Sequence, residues 1–263
     1  MQDAMVTFPY RPGRPSLGVA ASAYGHDVIL RHGQAGILSW LAEAGADAVE
    51  IRRELLTDGF DDFAGLGRAC ADHGLGVVYS AADALWQDDT PHPNIALRLA
   101  EAGALGASAI KFSLGRYELG ETSAWRAMNR VLGAAAVSLV MVENDQTPEG
   151  GTLTPLAAFL TDAERADCPL AMTFDIGNWR WTGEHAIPAA RRLGRHVRYV
   201  HCKGTHAQGD RFSACVPDDA TLAEWQPLMA QFPPSVPRAI EYPLQGPDLI
   251  ALTRQQLERL ATL

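Results

Sequence analysis

The sequence predicts a closed (β/α)8 barrel, and three observations carry that prediction. Eight short runs of β-type residues recur along the chain, each gap between them has room for an amphipathic helix, and glycines stand where those helices must stop. The runs lie at 17–22 (LGVAAS), 47–52 (DAVEIR), 76–80 (GVVYS), 108–113 (SAIKFS), 138–143 (SLVMVE), 171–175 (AMTFD), 197–202 (VRYVHC) and 238–242 (RAIEY). Successive starts are 26 to 41 residues apart. Eight strand–helix units of nearly constant length are what a closed parallel barrel needs. Between the strands, Ile37, Leu38 and Leu41, or Ile95 and Leu99, recur at helical spacing. Gly45 follows LAEA, Gly74 follows ACADH, and Gly103 with Gly106 follow LRLAEA, as left-handed helix ends require. The competing open, doubly wound sheet usually carries a Gly-rich phosphate loop after its first strand, and none follows 17–22.

Composition narrows the class without selecting a function. With 263 residues, 47% hydrophobic and 20% charged, the chain suits one barrel domain spanning 1–263. No apolar run reaches the length of a membrane span. The start, MQDAMVTFPYRPGRPSLG, has neither the basic head nor the apolar centre of a secretory signal, so a cytoplasmic location is expected. Cys70, Cys168, Cys202 and Cys215 form no C-x-x-C pair and read as free thiols. A net charge of −9 with scattered lysines and arginines makes nucleic acid a poor partner.

Function in a barrel sits at the C-terminal ends of the strands. Read in order, the fifth run ends in Glu143, the sixth in Asp175, the seventh near His201 and the eighth near Glu241. Four consecutive strands thus deliver one oxygen or nitrogen donor each at one level. Three carboxylates buried together without a cation would cost many kcal/mol or take up protons. A single divalent cation removes that cost, and three carboxylates with one imidazole suit Mn²⁺, Mg²⁺, Co²⁺ or Zn²⁺.

The strings VENDQTPEGGTL, TFDIGNW, VRYVHCKG and AIEYPLQG resemble the xylose-isomerase-like barrels. That superfamily holds sugar isomerases, ketose epimerases, inosose dehydratases and a group of apurinic endonucleases. The resemblance covers strands two to eight. It implies that Glu143, Asp175, His201 and Glu241 bind the metal and that Glu143 and Glu241 also serve as the acid/base pair. It implies, further, a small sugar-like substrate and proton transfer through an enediolate, which carboxylates approaching from two strands are suited to perform.

Other residues are candidates for substrate binding. Lys111 on strand four points into the barrel mouth if it shares a face with Ala109 and Ser113, with Glu143 as its partner; otherwise it snorkels to solvent. Lys203, two residues after His201, carries the same alternatives. Asn178 stands where many relatives place a histidine; an amide still hydrogen-bonds but ligates poorly, which argues against a second metal. Arg211, in the long loop GTHAQGDRFSACVPDD, is a clamp for a substrate oxygen or a solvated arginine, and His206 in that loop reads as surface. Trp86, Trp179 and Trp181 follow strands three and six, and Trp179 is either an aromatic wall of the site or core packing. Glu50 and Arg52 share one face of strand two and read as a structural ion pair in the lumen, with substrate contact as the alternative. The ends of strands two and three, IRRE and VYSA, lack the histidines from which the endonucleases assemble a metal cluster.

The sequence therefore points to a metal-dependent isomerase or epimerase of a small sugar, keto-sugar or keto acid. A dehydratase of the same superfamily and a barrel that binds a metabolite without turning it over remain alternatives, and self-association into a homo-oligomer stays open.

Overall fold

Hydrogen bonding closes the eight runs into a ring. A computed structural model describes residues 13–118, 120–209 and 211–263. Most of the N-terminal stretch behind the expectation about a secretory signal falls on 1–12, outside the described residues. The strands are β1 (Leu17–Ala20), β2 (Ala48–Arg52), β3 (Gly76–Asp88), β4 (Ala109–Tyr117), β5 (Leu139–Glu143), β6 (Leu170–Asp175), β7 (Val197–Cys202) and β8 (Arg238–Ile240). Each pairs in parallel with the next, and β8 returns to β1. The ring is a (β/α)8 TIM barrel with no open edge.

The crossovers are helical: α1 (His26–Gly36), α2 (Leu38–Ala44), α3 (Phe63–Asp72), α4 (Ile95–Ala104), α5 (Thr122–Gly133), α6 (Leu153–Arg165), α7 (Ala186–Leu193), α8 (Asp219–Met229) and α9 (Leu249–Ala261). Asp62, Asp218 and Asp248 cap three of them by accepting backbone N–H groups of Gly65, Thr221 and Ala251. Gly45 and Gly106 take the left-handed conformation at helix ends, with φ of 88° and 66°. Gly103, expected to share that role, lies inside α4. No helix among the described residues is long and apolar enough to cross a membrane, and all four cysteines are free.

Alternation along the strands builds two cores. Outward residues such as Val49, Phe112, Val142, Phe174 and Val200 pack against the helices. Inward residues form a separate apolar floor of Ala48, Val78, Ala109, Leu139, Met141, Ala171, Tyr199 and Ala239. Two positions further along each strand the lumen turns polar, with Glu50, Ser80, Lys111, Glu143, Thr173, Asp175 and His201 all buried. On β7 this facing depends on a bulge. Met172 pairs with Val197 but Thr173 with Tyr199, so the register steps over Arg198, and Asp175 then stands beside His201.

Three elements differ from the sequence expectation. Strands β3 and β4 continue beyond the rim to Asp88 and Tyr117, and β3 turns back to pair at Thr90–Pro91. Aromatic packing holds this ribbon: Trp86 sits 4.7 Å from Trp125 and 5.7 Å from Phe159, centroid to centroid. The segment after β7, expected as a loop, holds a hairpin of Gly204–Gln208 and Arg211–Cys215. Its Phe212 packs on Trp181, with the Arg180 guanidinium over the ring. Finally, β8 stops at Ile240, although the Glu241 N–H still donates to the Cys202 carbonyl at 3.1 Å.

Candidate metal centre

Glu143, Asp175, His201 and Glu241 converge at the top of the lumen. One donor atom from each lies within 4.8 Å of the others. Asp175 and His201 are wholly buried, and Glu143 is 9% exposed. Nδ1 of His201 lies 2.7 Å from Glu143 Oε1, 3.2 Å from Glu241 Oε2 and 3.9 Å from Asp175 Oδ2.

Every member of this set is held by its other polar atom. Lys111 Nζ hydrogen-bonds Glu143 Oε2. Backbone N–H groups of Gly177 and Asn178 donate to Asp175 Oδ1 at 2.8 and 2.9 Å. Glu50 Oε2 lies 2.6 Å from His201 Nε2, and Arg52 Nη1 donates to Glu241 Oε1 at 2.6 Å. The remaining atoms, Glu143 Oε1, Asp175 Oδ2, His201 Nδ1 and Glu241 Oε2, are buried and make no well-aligned hydrogen bond, although the Lys203 ammonium stands within ion-pair distance of the Asp175 and Glu241 oxygens. With the Nε2 proton given to Glu50, a neutral imidazole presents a lone pair to three carboxylate oxygens. Three carboxylates against Lys203 and Lys111 still call for further positive charge between them, from a second imidazole proton or from a cation. Three hard oxygens and one imidazole nitrogen fit a divalent ion.

The electrostatics of the metal-free cluster follow from burial and the neighbouring charges. Burial opposes a charge on His201, but Glu241, Glu50 and Glu143 outweigh it and hold its pKa well above the usual range. Burial likewise opposes the Glu143 carboxylate, and Lys111 with His201 pulls its pKa down to about 2. Asp175 goes the other way, pushed up to about 7 by burial and by the charges of Glu241 and Glu143 against the pull of Lys203. Lys203 Nζ stands 2.8 Å from Asp175 Oδ2 and 2.6 Å from Glu241 Oε2, and its own pKa is raised. The opposite senses within this ion pair have a simple origin. The ammonium gains from two carboxylates, whereas Asp175 shares that one ammonium with Glu241.

Of the substrate-binding candidates, Lys111, Lys203 and Asn178 join the cluster. Lys111 points into the lumen and is 2% exposed. Asn178 Oδ1 accepts from Lys203 Nζ and Gln146 Nε2, and its amide donates to the Asn144 carbonyl. Trp179 is wholly buried, 5.4 Å from Phe174 by ring centroids. With Lys203, Arg180 and Trp225 it also lines a cavity of about 230 Å³ outside the lumen. Arg211 is exposed on the hairpin, opposite Gln208.

Two members of the site go beyond what sequence reading assigned. Asn144 accepts from the Asp175 N–H and donates to its carbonyl, both at 2.9 Å, which fixes the β6 end beside β5. Glu50 was legible as a lumen residue by alternation, but its contact with His201, distant in sequence, was not.

Glu143, Asp175, His201 and Glu241 stand at or just beyond the C-terminal ends of the last four strands of this parallel barrel, and the fold is that of the xylose isomerase-like TIM barrels. Superposition on solved structures shows this at low sequence identity. A xylose isomerase-like TIM barrel/4-hydroxyphenylpyruvate dioxygenase fusion protein matches at TM-score 0.71 and 14% identity, over 94% of this chain and 42% of that one. This chain thus spans under half the length of that relative. A xylose isomerase domain-containing protein from Salmonella typhimurium matches at TM-score 0.69 and 12% identity, over 95% and 97% of the two chains. A D-allulose 3-epimerase from Methylomonas sp., solved with D-allulose, matches at 0.64 and 17%, over 98% and 99%. No protein-family model and no curated protein matches the sequence.

Proposed function

We propose that the chain is a divalent-metal-dependent isomerase or epimerase acting on a small sugar, keto-sugar or keto acid by proton transfer. The observation that carries this reading is the convergence of four buried donor atoms within 4.8 Å, two of them glutamate oxygens 2.7 and 3.2 Å from Nδ1 of His201. The similar structures lend support, since they include epimerases solved with D-allulose or in the presence of D-fructose.

Glu143, Asp175, His201 and Glu241 would hold Mn²⁺, Mg²⁺, Co²⁺ or Zn²⁺, which when bound polarises a carbonyl and acidifies the adjacent C–H. The chain's own residues then divide the work. Glu143, from β5, and Glu241, after β8, reach the substrate from different sides, so one removes the proton next to the carbonyl and the other returns it. Lys203 and Asn178, beside Asp175, orient substrate oxygens. Lys111 is engaged by Glu143 and Glu50 and acts on Glu143 rather than on substrate. Trp179 and Arg211 stand further out: Arg211 would meet substrate only from the hairpin, and Trp179 acts as packing behind Asn178.

The test is isotope wash-in. Metal-loaded protein incubated in D₂O with a panel of ketoses and keto acids should place deuterium on the carbon next to the carbonyl of at least one compound. Recovery of the epimer marks an epimerase, a shifted carbonyl an isomerase, and loss of water a dehydratase. Glu143→Gln and Glu241→Gln should each lower turnover by about 10²–10⁴-fold, the usual share of general acid/base catalysis. Turnover with the hydrogen retained and no deuterium gained would refute proton transfer.

A further inference from the structure

We propose that Glu50 is the positioning residue of this centre, a carboxylate on β2 that fixes three of the four donor side chains from below. The inference rests on the metal-centre reading given above.

Strand β2 supplies no donor atom, yet Glu50 lies wholly buried in the lumen above Ala48. A buried carboxylate must be paired, and the ion pairs that Glu50 makes lead into the site. Its Oε2 is 2.6 Å from His201 Nε2. Its Oε1 is 3.1 Å from Arg52 Nη1 and 3.7 Å from Lys111 Nζ. That same Arg52 nitrogen holds Glu241 Oε1 at 2.6 Å, and Lys111 holds Glu143 Oε2. One carboxylate therefore reaches His201 directly, Glu241 through the guanidinium and Glu143 through the ammonium. Asp175 stands outside this network, held by the backbone of Gly177 and Asn178 and by Asn144.

The chemistry of a carboxylate is specific to this task. Ionised, it only accepts hydrogen bonds, so it requires the imidazole proton on Nε2 and leaves the Nδ1 lone pair facing the three oxygens. A pair that merely stabilised the barrel would need no contact with His201, and a well-packed apolar residue would serve as well. Glutamine keeps the shape but can donate as well as accept. It no longer selects the tautomer and no longer attracts Arg52 and Lys111.

The experiment uses the full chain, stripped of metal and titrated with Co²⁺, reading affinity by calorimetry and ligand geometry by the visible absorption of the bound ion. Glu50→Gln should fold, as circular dichroism would show, bind Co²⁺ about 10–100-fold more weakly than wild type, and shift the Co²⁺ bands. Arg52→Gln, at a partly exposed site, should weaken binding by less and leave the imidazole contribution to the bands in place. Wild-type protein that binds no Co²⁺ would remove the metal-centre reading itself. Wild-type binding with Glu50→Gln unchanged in affinity would overturn the role of Glu50 and leave the centre standing. Should Glu50→Gln fail to fold, Arg52→Gln decides, and unchanged affinity in that variant overturns the network.

Discussion

Replacing Lys111 by methionine tests the charge balance of the lumen most directly. Methionine keeps an unbranched apolar stem and removes only the ammonium. That ammonium is buried, bonded to Glu143 Oε2 and 3.7 Å from Glu50 Oε1. Its loss leaves two buried carboxylates short of a partner, and breaking a buried ion pair from one side costs about 3–5 kcal/mol. Against a total stability of roughly 5–15 kcal/mol, the variant should still fold. At about 2–4 °C per kcal/mol for a chain of this size, its melting temperature should fall by about 6–20 °C in chelator. Saturating Co²⁺ supplies the missing positive charge beside Glu143, so the deficit should shrink when metal is present. Urea unfolding of both proteins, with chelator and with Co²⁺, measures the four stabilities. A loss below about 1 kcal/mol, the scale of an exposed pair, would refute the reasoning, as would an equal loss in both conditions.

Two further outcomes follow from the same cluster. Chelation of wild-type protein should lower its melting temperature by about 5–10 °C, because a ligand at a hundredfold excess over its Kd stabilises by roughly 2.7 kcal/mol; no shift with Mn²⁺, Mg²⁺, Co²⁺ or Zn²⁺, and no metal by elemental analysis, would exclude the centre. The raised pKa of Asp175 sets a pH dependence in metal-free protein: above pH 4 the unfolded chain has lost this proton while the folded chain keeps it up to about pH 7, so stability should fall as pH rises through that window, by at most about 1.4 kcal/mol per unit. Asp175→Asn should flatten this slope in a series of urea unfolding curves, and an unchanged slope would assign it to another group.

The barrel and the convergence of Glu143, Asp175, His201 and Glu241 were legible in the sequence because each of these residues stands at or near the end of a strand-like run. Strand spacing announces the ring, alternation within β5 and β6 puts Glu143 and Asp175 on the inner face, and a bulge that the sequence does not announce brings His201 in beside them. What escaped depends on contacts between distant parts of the chain. Glu50 and Arg52 carry a lumen-facing spacing, but alternation cannot say that their partners are His201 and Glu241 across the ring. The hairpin after β7 was read as loop because its strands are short, largely polar and exposed at 206–208, with Phe212 its main apolar anchor. Trp86 and Trp179 illustrate a different ambiguity. Tryptophan near a strand end looks alike as a sugar platform or as core until its neighbours are known, and the neighbours here are Trp125, Phe159 and Phe174.

The bulge at Arg198 makes the chemistry of β7 a matter of parity. Val197 packs outward against the helices, and with uninterrupted alternation from that point His201 would face outward too, leaving Val200 and Cys202 toward the lumen. The bulge inverts the count, so that Tyr199 and His201 face in. Exchanging Arg198 for another side chain leaves this count intact, and deleting it sets Tyr199 directly after Val197, an ordinary alternation that still turns Tyr199 and His201 inward. Deleting Val200 would instead set His201 directly after inward-facing Tyr199 and turn it outward. The spacing between Tyr199 and His201 is therefore under tighter constraint than the bulge, and a library of single-residue deletions along the strand would meet its sharper boundary at Val200 rather than at Arg198.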